Sequence, residues 1–248
     1  MKFCHQYVRT TILAILSALA TPAQAQPVDL ELVLAVDASG SVDELEYRLQ
    51  LDGIAAGFRD PEVRQAIRSG PEGRIAVNML VWAEHVWPKD TTGWWLLATD
   101  ADAEEFARQV EGLPRRQNGA TGLGEGLAAA VRTIASNTFI GRRRVVDVSG
   151  DGRETPAREF VVLVPQARAM AIGHGVTVNG LAIINEEPDL ATYYRGQMQT
   201  GDGSFVIEAR DYQDFAEAMR RKLLREIEHR PNLSRTRPVP SVRIRSSG

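Results

Sequence analysis

Cysteine is almost missing from this sequence. Among 248 residues only Cys4 carries a thiol, so neither an intrachain disulfide nor a thiolate-bound metal is available. Histidine is nearly as scarce, with 4 residues at His5, His85, His174 and His229. None stands beside a nucleophile and an acid in the manner of a catalytic triad. Aromatic residues amount to 6% and the net charge is only −3, which excludes a strongly basic nucleic-acid surface. No apolar run reaches the roughly 20 residues a membrane-spanning helix needs. What is present, 44% hydrophobic and 25% charged residues, is the balance of a globular domain that relies on its core.

The two ends differ from that average. Lys2 and Arg9 flank an apolar stretch at 11–20, followed by Ala23-Gln24-Ala25. This order predicts a secretory signal peptide over residues 1–25, cleaved after Ala25, and hence a periplasmic or secreted protein. Cys4 precedes the apolar stretch instead of following it at a lipobox, so lipid anchoring is not expected. Residues 229–248 are rich in Pro, Ser and Arg without an apolar period, and are expected to form a disordered basic tail.

Between them, at 28–228, short β-branched runs alternate with helix-periodic segments. Strands are predicted at 30–36, 74–82, 144–148, 177–184 and 205–208, and helices at 42–58, 102–111, 122–134, 159–174, 189–198 and 212–226. The near-continuous apolar content of the strands is that of a parallel sheet covered on both faces, so the expected fold is α/β and doubly wound. Segment 84–98 breaks the alternation. Its aromatic residues Trp87, Trp94 and Trp95 lie around a turn-like stretch at 89–93, and it is read as a hairpin leading into an antiparallel edge strand, with tryptophans covering the end of the core.

Three short motifs carry chemistry. The first strand runs into Asp37-Ala38-Ser39-Gly40-Ser41, placing a carboxylate and two hydroxyls at the carboxyl edge of the sheet, where open α/β folds bind ligands. A Gly-rich loop then presents Thr121 at the start of a helix. Finally, the strand at 144–148 leads to Asp151 held between Gly150 and Gly152. Oxygen donors of this kind suit hard divalent cations. Asp43, Glu44, Glu125, Arg153 and Glu154 sit close enough in sequence to line the rim; of these, Asp43 and Glu44 are read as helix-start charges, and Glu125 as a solvent-facing helix residue. Gly122-Leu123-Gly124-Glu125-Gly126 does not open a first βαβ unit, which argues against a dinucleotide loop.

The ordered set of DxSxS, a Gly-flanked Thr and a strand ending in Asp-Gly resembles the metal-ion-dependent adhesion site of von Willebrand factor A domains, in an uncharacterised bacterial exported branch. The resemblance implies a mostly parallel six-stranded sheet with one antiparallel edge strand and helices on both faces. It implies a Mg²⁺ site, open also to Mn²⁺ or Ca²⁺, formed by Asp37, Ser39, Ser41, Thr121 and Asp151, with Ser39 and Ser41 as direct ligands. It also implies a protein partner that donates an Asp or Glu to the ion, and no catalysis. Two other readings stay open at this point: a metal-assisted hydrolase, and a scaffold whose ion only ties loops together.

Overall fold

The computed structural model describes residues 26–84, 88–155 and 161–228; the signal-peptide and tail expectations, together with His85 and Trp87, lie outside them. In chain order the elements are β1 (Gln26–Val28), β2 (Leu30–Asp37), α1 (Glu44–Arg59), α2 (Pro61–Ser69), β3 (Ile75–Trp82), β4 (Thr91–Leu97), α3 (Asp100–Glu111), α4 (Leu123–Ala135), β5 (Phe139–Gly141), β6 (Arg144–Gly150), α5 (Val164–Gly173), β7 (Thr177–Ile183), α6 (Leu190–Gln197), β8 (Val206–Ala209) and α7 (Phe215–Glu228). Six strands form one sheet in the order β4-β3-β2-β6-β7-β8. Only β4 runs antiparallel. β1 and β5 pair separately.

β2 is buried along its whole length because it lies centrally with helices on both faces, so either side-chain direction meets a core. Leu30, Leu32, Leu34 and Val36 face α1, α3 and α7; Val33 and Ala35 face the layer of α4 to α6. This period-2 division into two apolar layers is what a doubly wound sheet requires.

The structure departs from the sequence expectations at three places. Helix α2 was not anticipated, although Asp60 accepts hydrogen bonds from the amides of Glu62 (2.9 Å) and Val63 (3.1 Å) with Pro61 opening the helix, a standard Ncap and N1 pair. The short strands β1 and β5 were also missed; three residues are too few for a period to show. The hairpin at 84–98 is shifted. Its first arm is β3 itself, Leu80 pairs with Thr91, and much of the 89–93 stretch belongs to β4. Thr91 and Thr92 anchor that register, with Thr91 Oγ1 donating to Asn78 Oδ1 at 2.9 Å and the Met79 amide donating to Thr92 Oγ1 at 3.0 Å. Trp94 and Trp95 then point to opposite faces of β4 and cover the two core layers, Trp94 against Phe139 and Trp95 against Phe106.

Candidate metal centre

The chain reverses its direction of winding between β3 on one side of β2 and β6 on the other, and this switch point is where an open parallel sheet leaves a crevice. Pairing of Asp37 with Trp82 and of Val36 with Ser149 brings the ends of the three strands level. The loop after β2 is then pinned from several sides. The Ala38 amide donates to Trp82 O (2.8 Å), and the Gly40 amide to Gly119 O (2.7 Å). Gln50 Nε2 donates to Asp37 O at 3.0 Å, and the Arg115 guanidinium donates to the carbonyls of Ser39 and Val42. The Gly119 and Arg115 contacts join the DxSxS loop to the loop that carries Thr121.

Four of the five expected residues are linked by hydrogen bonds. Asp37 Oδ1 accepts from the Ser39 amide at 2.8 Å, and Ser39 Oγ lies 3.2 Å from Ser41 Oγ. Ser41 Oγ donates to Asp151 Oδ1 at 2.7 Å. A hydroxyl has one proton to give, so with that of Ser41 committed to Asp151, the shorter chain of donation runs from Ser39 to Ser41 to Asp151. Both hydroxyl oxygens keep lone pairs for a cation. Thr121 joins them by proximity: its Oγ1 lies 3.5 Å from where a Cβ on Gly152 would stand. The same construction shows why position 150 is glycine, since a Cβ there would come within 2.8 Å of Asp37 Oδ2 and 2.7 Å of the Tyr194 hydroxyl.

Asp37 is fully buried, and its Oδ2 has no hydrogen-bond partner. Burial, and then the neighbouring charge of Asp151, push its carboxyl up to about 7; the Ser39 hydrogen bonds and the Asp151 amide oppose this only in part. A buried, unpartnered carboxylate oxygen beside hydroxyls and a second carboxylate fits a hard divalent cation. Among the described residues no group of three or more His, Cys, Asp or Glu could hold a metal; here the two carboxylates are supplemented by the hydroxyls of Ser39, Ser41 and Thr121.

Sequence reasoning missed several residues that shape this centre. Tyr212, buried ahead of α7, donates its hydroxyl to Asp151 Oδ2 at 2.9 Å, and Tyr194 donates to Gly152 O at 3.3 Å. Burial, and then the charges of Asp151 and Asp37, raise the Tyr212 hydroxyl; burial, followed by Asp37 and Asp151, does the same for Tyr194. Both therefore stay protonated as donors. No local pattern could have announced them, because they lie 61 and 42 residues from their partners.

Of the rim candidates, Asp43 caps α1 in a reciprocal pair with Glu46, as expected. Arg153 is turned aside by Glu187 and Asp189. Glu125 corrects its expectation: it is 8% exposed and accepts the Val162 amide at 2.7 Å, because the segment ahead of α5 lies across the start of α4 and needs an acceptor there. That contact also fixes Gly124, where an added Cβ would strike the backbone of Val162, Leu163 and Val164. Gly124→Ala is expected to destabilise the fold by about 1–3 kcal/mol; thermal denaturation checks this, and an unchanged melting temperature would refute the close approach.

A family model described as "Protein of unknown function (DUF1194)" matches residues 27–231. No curated protein matches the sequence. Among solved structures, the pilus adhesin SpaC from Lactobacillus rhamnosus GG is similar at 12% identity and a TM-score of 0.57, covering 82% of this chain and 31% of its own. The proximal thread matrix protein 1 of the mussel byssus, in a structure with a zinc-occupied MIDAS motif, is similar at 15% identity and a TM-score of 0.56, covering 83% and 50%. The vWF domain of the type V pili tip protein Mfa5 from Porphyromonas gingivalis is similar at 11% identity and a TM-score of 0.52, covering 79% and 94%. This chain thus spans 31% and 50% of the lengths of the first two proteins, and at these identities the likeness is one of fold.

Proposed function

From the premise that this chain belongs to the family of proteins of unknown function DUF1194 and has a von Willebrand factor A fold, we propose that it is an exported, metal-dependent protein-binding module. The observation that carries this reading is the unpartnered, buried Asp37 Oδ2 behind the linked hydroxyls of Ser39 and Ser41 at the switch point. Ser39, Ser41 and Thr121 would hold Mg²⁺ through their hydroxyls, with Mn²⁺ or Ca²⁺ as substitutes, while Asp37 and Asp151 would balance its charge through bound water. A bound ion supplies an attachment point for a further oxygen ligand, and an Asp or Glu of a partner protein matches that need.

Each side chain has a definable part in this. Asp151 holds Ser41 by accepting its hydroxyl hydrogen bond at 2.7 Å, which leaves the Ser41 oxygen its lone pairs. Tyr212 occupies the other Asp151 oxygen and fixes the carboxylate plane, as outer hydrogen bonds do around metal ligands. Ser41 is exposed beside the buried Asp37, Ser39, Thr121 and Asp151, so the centre meets solvent on that side. The Ser39 and Ser41 hydroxyls contact each other and Asp151, an arrangement that suits shared cation ligands better than a serine nucleophile paired with histidine.

Export rests on the signal-peptide pattern at 1–25; no described helix is long and apolar enough to cross a membrane. The test is capture of partners from periplasmic extract on immobilised protein. Retention is expected with Mg²⁺, loss with EDTA, and recovery on adding Mg²⁺ back. Retention indifferent to chelator would overturn the proposal.

A further inference from the structure

Glu154 and Thr155, in the loop after Asp151, tie that loop to the one that carries Thr121. Thr155 grips Thr121 twice: the Thr121 amide donates to Thr155 Oγ1 at 2.9 Å, and the Thr155 amide donates to Thr121 O at 3.1 Å. Glu154 uses both carboxylate oxygens. Oε1 accepts the Gly124 amide and Oε2 the Val164 amide, each at 3.1 Å.

Those two amides belong to the first turns of α4 and α5, whose cap residues Gly122 and Leu163 make no side-chain capping bond. A carboxylate shared by two helix N-termini satisfies orphan donors on both and meets the positive end of both dipoles. Thr121 sits directly before α4, and Asp151 is three residues from Glu154. The loop that carries Asp151 is thereby bonded to the loop that carries the Thr121 hydroxyl through three hydrogen bonds, two at Thr121 and one at Gly124, while a fourth ties it to α5.

We infer that Glu154 and Thr155 are positioning residues of the adhesion site, setting Thr121 at its distance from Asp151. This inference rests on the metal-binding reading above. Both Glu154 oxygens are engaged by backbone amides and Thr155 Oγ1 by the Thr121 amide, so these side chains act on the backbone of the loops they join. The device makes the Thr121 loop and the Asp151 loop move as one body, so that the hydroxyl is in place before an ion arrives.

Calorimetric titration of the full chain with MgCl₂ and MnCl₂ tests the inference. Thr155→Val keeps the amide and the side-chain size but removes the acceptor. It is expected to weaken ion binding by roughly three- to tenfold, about what the loss of one hydrogen bond implies, while the melting temperature of the metal-free protein falls by only about 2–5 °C. Thr155→Ser should restore the affinity. Glu154→Gln, which loses the charge and one acceptor, should weaken binding by a similar factor. In the metal-free protein, hydrogen exchange at the Thr121 amide should quicken in Thr155→Val and return to the wild-type rate in Thr155→Ser.

Asp37→Asn separates the two levels of the argument. If that variant loses the ion while Thr155→Val and Glu154→Gln bind as wild type, the positioning role is overturned and the metal site stands. If wild type takes up neither ion, the site reading fails, and the positioning role with it.

Discussion

Asp37→Asn is expected to weaken Mg²⁺ binding by about a hundredfold while leaving the metal-free protein at least as stable as wild type. The two halves of this result come from one geometry. Asp37 is fully buried, its Oδ2 has no partner, and Asp151 lies close enough to raise its carboxyl, after burial, to about 7. Without a cation, that carboxylate faces a like charge with no counter-charge, an arrangement that costs stability. Asparagine keeps the oxygen that accepts the Ser39 amide at 2.8 Å and removes the charge. The measurement is a pair of melting curves, with and without Mg²⁺, beside a calorimetric titration. Wild type should gain stability from the ion by linkage and the variant should not. The same experiment divides the possible roles. A folded variant that has lost Mg²⁺-dependent partner capture supports a binding module. A variant that unfolds supports an ion whose role is to hold the loops together. Loss of a measurable hydrolytic turnover would support an enzyme.

Lys222→Met is expected to destabilise the fold by about 3–5 kcal/mol, the usual cost of stripping one partner from a buried ionic group. Lys222 is fully buried on α7, with Nζ 2.8 Å from Asp147 Oδ1 on β6 and 2.7 Å from Glu226 Oε1. Asn179 Nδ2 donates to the same Glu226 oxygen at 2.9 Å, and the Phe205 ring covers the ammonium at 4.9 Å. Two carboxylates share one ammonium, so removing it leaves uncompensated negative charge in the core. The predicted loss is large enough to lower the melting temperature by roughly 6–20 °C, and a shift within about 2 °C would refute the pairing.

The cluster also makes stability depend on pH. Burial, and then the Glu226 charge, raise the Asp147 carboxyl to about 7 against the opposing pull of Lys222. Below about pH 4 this carboxyl is protonated in both the folded and unfolded states. Between there and about pH 7 the folded protein holds a proton that the unfolded chain has released, so this contribution to stability is lost as pH rises. Denaturant unfolding at pH 5 and pH 8 should show the wild type weaker at pH 8. Asp147→Asn should reduce that difference; a difference equal to that of wild type would exclude Asp147 as its source.

How much of this was legible in the chain can be seen residue by residue. The five oxygen-bearing positions fall in three short motifs, two at the ends of apolar strands and one ahead of a helix, and their types alone suit a hard cation. The buried ionic cluster was not legible. Asp147 stands in the apolar β6 run as an isolated acid, and Lys222 in a charged stretch of α7 that reads as a solvent-facing helix, because only the docking of α7 on the sheet makes the pair meet. Glu125 misled for the same reason: the helical period cannot tell that the segment at 161–163 lies over it.

Composition and periodicity by themselves determined the layered α/β architecture, its parallel strands and the oxygen character of the site, since burial on two faces, strand length and donor hardness are properties of nearby residues. Tertiary structure alone decided which groups support those donors. Tyr212 on Asp151, Arg115 on the Ser39 and Val42 carbonyls and Thr155 on Thr121 join residues 61, 76, 73 and 34 positions apart. Such contacts follow from the order and register of strands in the sheet, a long-range outcome of packing that no local sequence pattern encodes.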